Sequence, residues 1–278
     1  MRDHWGSHRQ AIDRQRALRF VGYSGVLTQP RPGADAREGL LSAHAVDRIS
    51  AAARRSSHLA QCRMDAFPLD PNRVRDISSL LLERDGTFRV LPASAYEGTT
   101  QEERLLFGVR HGVYGFPTTE LVEFIRERIA GRRAIEIGSG NGALAAALGI
   151  PATDNRQQED PAIRAYYDSI GQPVVRYGGN VEKLSADDAI EKYKPDVVVA
   201  SWVTHRFDPM RQDAGGSETG VDEVAVLKAC EMYLFVGNEQ VHAKKAIWTM
   251  PHSKFTPSWV FSRAMNGSPD FVAIWSRT

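Results

Sequence analysis

A short strand-like segment that runs into closely spaced glycines constrains the fold more than any other part of the sequence. Residues 134–137 (Ala-Ile-Glu-Ile) have the composition of a buried strand, and glycines follow at 138, 140 and 142. Residues 143–148 then have the composition of a helix. Glycine permits positive φ angles and a close approach of the backbone to a ligand. A strand that enters a helix through such a turn is typical of nucleotide-binding folds, because the turn amides meet acceptor atoms.

Two ligand classes fit this loop, and the acid at position 136 discriminates between them. Gly138, Gly140 and Ala143 satisfy a loose dinucleotide-binding pattern. A pyrophosphate would meet the like charge of Glu136 at the strand end, whereas a cationic ligand would be favoured there. The run Glu136-x-Gly138-x-Gly140-x-Gly142 resembles motif I of the class I S-adenosylmethionine (SAM)-dependent methyltransferases. SAM carries a sulfonium and an ammonium group, so the acid favours the methyltransferase interpretation. An ordinary tight turn is the remaining alternative.

The resemblance implies a set of residues that contact SAM. Those of the glycine loop would shape the cofactor pocket: Glu136, Gly138, Ser139, Gly140, Asn141 and Gly142. Others are expected at the edge of the sheet, namely Tyr114 near the methionine end, Asp154 at the ribose hydroxyls, Asn180 and Val181 at the adenine, and Ser201 after the fourth strand. An ionised carboxylate only accepts hydrogen bonds, which suits ribose hydroxyls. Asp154 as a turn residue and Tyr114 as a packing residue remain alternatives.

Strand and helix patterns alternate from residue 133 to residue 275. This alternation predicts an α/β fold with a doubly wound, mostly parallel seven-stranded sheet and helices on both faces. After the first strand, the others are expected at residues 149–154, 174–177, 197–200, 232–236, 246–249 and 271–275. A helix is expected at residues 258–265. In the family that the chain resembles, the last two strands form an antiparallel edge pair.

The first hundred residues match no motif. We predict an Arg-rich, mainly helical N-terminal extension at residues 1–100 and a methyltransferase-like domain at residues 101–278. The sequence contains no Lys before Lys183, so up to Arg110 its Arg and Lys positions are all Arg. Because Arg binds phosphate oxygens through a planar fork, this segment is a hypothetical nucleic-acid contact. A solvated helical surface is the alternative.

Candidate catalytic groups follow the fourth strand. His205 is expected to titrate near neutrality and to act as a base, and Asp208 to orient it or to bind a cation. A base is needed only if the acceptor must lose a proton, since alignment alone accelerates methyl transfer. A loop histidine without a role is the alternative. Asn238, Glu239 and His242 form a second polar cluster whose spacing matches no metal site, and no metal is predicted.

Composition narrows the class of function. The net charge of +1 argues against a dominating polyanion-binding surface, and no segment reaches the roughly 18 apolar residues of a membrane span. Cys62 and Cys230 match no metal or redox spacing, so we expect a soluble, cytoplasmic protein. Residues 201–204 (Ser-Trp-Val-Thr) lack the proline pair of DNA amino-methyltransferases, which leaves RNA, protein and small-molecule acceptors open. The predicted activity is methyl transfer from SAM. Alternatives are a non-catalytic methyltransferase-fold binding or assembly protein and an NAD-dependent oxidoreductase.

Overall fold

The computed structural model describes residues 69–169 and 173–277 of the chain. Residues 1–68 of the N-terminal extension predicted at residues 1–100, Cys62 among them, lie outside these ranges. The nucleic-acid contact predicted for that segment therefore stays a prediction. None of the described helices combines the length and the apolar character that a membrane crossing requires.

Helices and strands alternate through the described residues. The α-helices are α1 Ser78–Leu81, α2 Gln101–His111, α3 Thr119–Ile129, α4 Ala143–Leu148, α5 Pro161–Ser169, α6 Ala186–Tyr193, α7 Glu223–Ala229 and α8 Glu239–His242. The strands are β1 Gly115–Phe116, β2 Ala134–Ile137, β3 Ala152–Asp154, β4 Val181–Lys183, β5 Val197–Ser201, β6 Met232–Asn238, β7 Ser253–Phe255, β8 Phe261–Ser262 and β9 Asp270–Ser276. Short 3-10 helices span Ala93–Tyr96, Gln157–Glu159, Pro209–Ala214 and Ala246–Thr249.

Seven of these strands form one sheet in the order β4-β3-β2-β5-β6-β9-β7. The first five are parallel to one another, and β9 is antiparallel to both of its neighbours. This confirms the predicted doubly wound, mostly parallel seven-stranded sheet. The order of the parallel strands reverses between β2 and β5, and ligands bind at such a switch point in doubly wound sheets.

Helices cover both faces of the sheet because its central strands are apolar on both sides. In β5, Val198 and Ala200 pack in one cluster with residues of α6 and α7. Val197 and Val199 pack in the other cluster with residues of α3 and α4. Successive side chains of a strand point to opposite faces, so a continuous apolar run is what a doubly covered strand requires.

Helix α3 carries one wall of the cavity described below, and its ends follow from the sequence. The Oγ1 of Thr118 accepts the N–H of Leu121 at 3.1 Å, which satisfies a free amide of the first turn. The helix ends where Ala130 adopts the left-handed conformation, with φ at +50°.

Three predicted elements are wrong. Residues 174–177 form no strand; the third parallel strand is β4. The N–H of Val175 donates to Oε1 of Gln158 at 2.7 Å, so this apolar stretch is bound by a side chain and not by β3. The sixth strand is β7, because residues 246–249 form a 3-10 helix. The helix predicted at 258–265 is absent from these described residues, since Phe261 and Ser262 pair with β1.

Residues on both sides of the predicted boundary at residue 100 share one apolar cluster. Ile77, Leu81 and Tyr96 pack there with Phe107 and Phe116. The two-domain division itself stays a prediction. The cluster nevertheless places residues 77–96 against α2 and β1, which border the cavity described next.

Candidate functional site

A cavity of about 580 Å³ lies at the carboxyl edge of the parallel strands. Its lining includes Gly138 after β2, Asp154 at the end of β3, Ser201 at the end of β5 and Val236 in β6. This is the switch point at which the topology predicts ligand binding. The volume lies within the range of about 300–1,000 Å³ that is typical of small-molecule sites.

The glycine loop forms one end of this cavity, and its shape depends on glycine. Gly138, Gly140 and Gly142 have φ angles of +59°, +56° and +74°. A Cβ atom at position 138 would overlap Cγ1 of Val203, and one at position 142 would lie 2.7 Å from Cγ2 of Val181. Gly138 and Gly140 line the cavity, whereas Gly142 does not. The first glycine therefore allows β2 and the segment after β5 to approach each other at the cavity.

Most backbone N–H groups of this loop are already bonded within the chain. One donates to the carboxylate of Asp154 at 3.0 Å and another to the carboxylate of Glu136 at 2.9 Å. The bonded donors are the backbone amides of Ser139, Gly140, Gly142, Ala143 and Ala145. A phosphate-binding loop recognises its ligand through free amides. This loop offers few of them, which disfavours a dinucleotide pyrophosphate.

Two carboxylates, those of Glu136 and Asp154, stand among the residues that line the cavity. Burial raises the pKa of Glu136 to about 8, a value that includes an opposing hydrogen bond from the amide of Ala145 and a smaller rise from the charge of Asp154. Burial also raises the pKa of Asp154, while the amides of Arg156 and Gly140 oppose that shift. Burial is the largest cause of both shifts, although the charge of Arg156 also opposes that of Asp154, so a cationic ligand would stabilise the ionised forms of both acids.

Other residues that the sequence assigned to the cofactor also border the cavity. Tyr114, Ser139, Asn141 and Ser201 are in its lining. The Oγ of Ser139 is buried and has no hydrogen-bond partner among the described residues. A buried hydroxyl without a partner is costly, so a ligand that bonds to it would be favoured. Their contacts with a cofactor stay predictions.

Asn180 and Val181 do not occupy the place expected of adenine-binding residues. The strand begins at Val181, so neither residue follows it, and neither lines the cavity. The side chain of Asn180 donates to the carbonyl of Gly142 at 3.2 Å and thus supports the loop from behind. Leu184 and Ser185, which follow β4, line the cavity in their stead. The error follows from the misplaced third strand.

His205 lines the cavity, but the prediction that it titrates near neutrality is wrong. Burial and the charge of Lys245 lower the pKa of His205 to about 4, so the imidazole is neutral at pH 7. Its Nε2 is buried without a hydrogen-bond partner among the described residues. Asp208 is exposed, does not line the large cavity and accepts the N–H of Met210 at 2.8 Å. Asp208 thus caps the 3-10 helix that follows and makes no described hydrogen bond to His205.

Trp202 is held in a strained conformation at the cavity wall. Its φ angle is +59°, a region that costs roughly 1–2 kcal/mol for a residue with a Cβ atom. The indole lies against Gly115, where a Cβ atom would be 3.0 Å from the ring. Its centroid lies 6.0 Å from that of Tyr114. Such strain is found at functional sites, where the surrounding structure maintains it.

Sequence reasoning missed three residues near the site. Lys245 and Glu223 form a buried ion pair at 3.0 Å, and Lys245 also donates to the carbonyl of Val203 at 2.8 Å. Arg263 lines the cavity, and its guanidinium lies 3.8 Å from the ring centroid of Tyr114. One local signal exists for Lys245, which directly precedes the apolar run Ala-Ile-Trp. Glu223 and Arg263 reach the site only through the topology.

The seven-stranded order, with the glycine loop at the switch point, agrees with the fold expected from the resemblance to the class I SAM-dependent methyltransferases. No protein-family model matches the sequence, and no curated protein matches it. Similar solved structures include WbdD in a co-crystal with a kinase inhibitor, at 12% identity over 57% of this chain and 40% of that chain, with a TM-score of 0.34. The cofactor-bound Rv0187 from MTB is 13% identical over 58% of this chain and 81% of its own, with a TM-score of 0.33. The O-methyltransferase from Bacillus cereus in complex with SAH is 13% identical over 58% and 82%, with a TM-score of 0.31.

The matched region covers less than half of the length of WbdD. At these identities and TM-scores the neighbours carry no argument about substrate or activity. The chemistry of the site therefore has to be derived from the residues of this chain.

Proposed function

We propose that the protein transfers a methyl group from SAM to an acceptor held in the same cavity. The observation that carries the proposal is the pair of buried carboxylates, Glu136 and Asp154, at a glycine loop whose amides are largely bonded internally. A cationic cofactor would stabilise the ionised forms of both acids, whereas a pyrophosphate would not. The same observation argues against the NAD-dependent oxidoreductase.

The residues present fit SAM in charge and in space. Glu136 would face the positive end of the cofactor, and Asp154 would accept hydrogen bonds from ribose hydroxyls, since each carboxylate oxygen has lone pairs beyond those used. The hydroxyl of Ser139 would gain a partner. Bound SAM supplies a methyl group activated by a sulfonium. The chain contributes binding, alignment and, for a protic acceptor, a place for the released proton.

His205 is the proposed place for that proton. Its imidazole is neutral at pH 7, so it needs no prior deprotonation. The free Nε2 is the acceptor atom, and a protic acceptor that reaches it would satisfy a buried group. Because a base with a pKa of about 4 is weak, His205 would accept a hydrogen bond that orients the acceptor and would hold the released proton only until it passes to solvent.

Calorimetric titration of the full chain with SAM and with NAD, side by side, tests the proposal. We expect binding of SAM and none of NAD. Glu136→Gln keeps the shape of the side chain and should weaken SAM by at least about tenfold, or about 1.4 kcal/mol, with a smaller effect on the product S-adenosylhomocysteine (SAH), which lacks the sulfonium charge that Glu136 would face. Equal losses for SAM and SAH would contradict the assigned role of the charge.

A second measurement separates an enzyme from a binding protein. Release of SAH is followed with RNA, protein extracts and small aromatic molecules as acceptors. Turnover with any acceptor class supports the enzyme. Tight SAM binding without turnover in every class would favour the non-catalytic binding or assembly protein, and tight NAD binding would overturn the proposal.

A further inference from the structure

We propose that the methyl acceptor is a small planar molecule that carries a carboxylate, and that Arg263 binds this carboxylate. The inference rests on the proposed function and specifies its substrate class. It is derived from the part of the cavity lining that Tyr114, Trp202, Phe261 and Arg263 contribute.

The cavity lining carries charge of both signs. The lining carboxylates, Glu136 and Asp154, lie at the glycine-loop end. Two guanidinium groups, those of Arg206 and Arg263, complete the charged lining. Arg206 is already neutralised, because it lies 2.9 Å from Asp187. The lining thus has two acids near the glycine loop and one cationic group that no carboxylate of the described residues neutralises.

Arg263 has no carboxylate partner among the described residues. Its described hydrogen bond runs from Nη1 to the carbonyl of Gly108 at 3.2 Å. A guanidinium carries five N–H donors, so most of them remain available. The side chain is half-buried, which reduces the competition from water. A carboxylate matches the paired donors of the planar fork better than any neutral group does.

The position of Arg263 is fixed before any ligand binds. Its backbone N–H donates to the carbonyl of Tyr114 at 3.0 Å, and its guanidinium stacks on the same ring. A Cβ atom at Gly108 would lie 2.8 Å from the arginine side chain, so the stem packs directly on α2. A cation immobilised in this way loses little entropy when it binds an anion.

The walls beside Arg263 favour a planar acceptor. The rings of Tyr114 and Trp202 are 6.0 Å apart and inclined by 31°, and both line the cavity with Phe261. Aromatic faces bind flat rings by stacking. One unpaired guanidinium suits one carboxylate, whereas a nucleic-acid backbone is held by several cations. These features favour an aromatic carboxylic acid over RNA.

SAM has a carboxylate of its own, and Tyr114 is predicted near its methionine end. The test therefore has two arms, both measured by calorimetry on the full chain. The first compares SAH with 5′-methylthioadenosine, which lacks the amino-acid part. The second compares 4-hydroxybenzoate with 4-hydroxybenzamide in the presence of saturating SAH. The two probes have the same ring and hydroxyl and differ in charge.

We expect wild-type protein to bind 4-hydroxybenzoate at least about tenfold more tightly than the amide, because a charge-assisted hydrogen bond is lost with the amide. Arg263→Gln should reduce this ratio to about twofold or less, and Arg263→Lys should leave an intermediate ratio. Arg164→Gln removes an exposed arginine of α5 that is outside the lining and should leave the ratio unchanged. Thermal unfolding of each variant shows whether it is folded.

Equal affinities for the two probes in wild-type protein would overturn the inference. So would a loss of SAH affinity in Arg263→Gln with no change for 5′-methylthioadenosine, since Arg263 would then hold the carboxylate of the cofactor. Failure of SAH and SAM to bind at all is a different result, because it overturns the proposed function itself.

Discussion

Replacing Gly138 by alanine tests the geometry on which the cofactor site depends. The φ angle of +59° costs a non-glycine residue roughly 1–2 kcal/mol. The added Cβ atom would also overlap Cγ1 of Val203, and overpacking of this kind costs about 1–3 kcal/mol. We therefore expect the free energy of unfolding to fall by about 2–5 kcal/mol in Gly138→Ala.

Two further variants separate the conformational cost from the steric cost. Gly131 has a φ angle of +76° and no heavy atom within 4 Å of an added Cβ atom. Gly131→Ala should therefore show the conformational cost alone, about 1–2 kcal/mol. Val203→Ala removes the overlapping Cγ1 and leaves the Cβ of residue 203 at 3.5 Å. In the Gly138→Ala background it should recover stability, which a double-mutant cycle measures as a coupling energy.

The assays are urea unfolding and calorimetric titration with SAM. Gly138→Ala should be less stable than Gly131→Ala by about 1–3 kcal/mol and should bind SAM at least about tenfold more weakly. Gly131→Ala should bind SAM like the wild type, because residue 131 lies outside the cavity lining. Equal stability losses in the two variants, with unchanged SAM affinity in both, would refute the close approach of β2 to Val203.

Three other predictions follow from the titrating groups. The pKa of Glu136, about 8, exceeds its unfolded value, so the folded state retains the proton and the free energy of unfolding should fall as pH rises from about 5 to 8. This decline, measured by urea unfolding, should amount to at most about 5 kcal/mol, and Glu136→Gln should remove it. If the free energy of unfolding depended on pH equally in the variant and the wild type, the burial of the acid would be contradicted. Asp154→Asn removes a charged hydrogen-bond acceptor, so it should weaken SAM binding in calorimetric titration. NAD should not bind to this variant, just as it should not bind to the wild type. Unaltered SAM affinity would show that Asp154 is not part of the site. The double variant Lys245→Met/Glu223→Gln should raise the pKa of His205, because the charge of Lys245 lowers it in the wild type. The pKa is measured by NMR titration of the histidines, and an unchanged value would contradict this role of Lys245.

The centre of the sheet was predictable, and its edges were not. Residues of β2, β5 and β6 form apolar runs because both faces are covered, and such runs are readable in the sequence. At the edge, Val181-Glu-Lys forms the strand although Val174-Val-Arg-Tyr is more apolar. The outcome depends on Gln158, whose side chain binds the N–H of Val175 at 2.7 Å. A contact between residues 17 positions apart leaves no local pattern.

The same limit applies to the site. The glycine loop is contiguous in the chain, so its place at the cavity was predictable from spacing. The pKa of His205 was not, because it depends on burial and on Lys245, which approaches from the segment after α8. The lack of a carboxylate partner for Arg263 was not predictable either, because it depends on which side chains the fold brings near the guanidinium group.

The buried ion pair of Lys245 and Glu223 holds the segment after β5 against α7 and β6. The ammonium donates to the carbonyl of Val203 at 2.8 Å, and the carboxylate accepts from the hydroxyl of Tyr233 at 2.8 Å. A buried pair is stabilising only when such additional hydrogen bonds satisfy it. Val203 in turn fills the space that a side chain at position 138 would need. The ion pair thus fixes the wall against which the glycine loop closes, and the shape of the cofactor end depends on a lysine more than a hundred residues away in the chain.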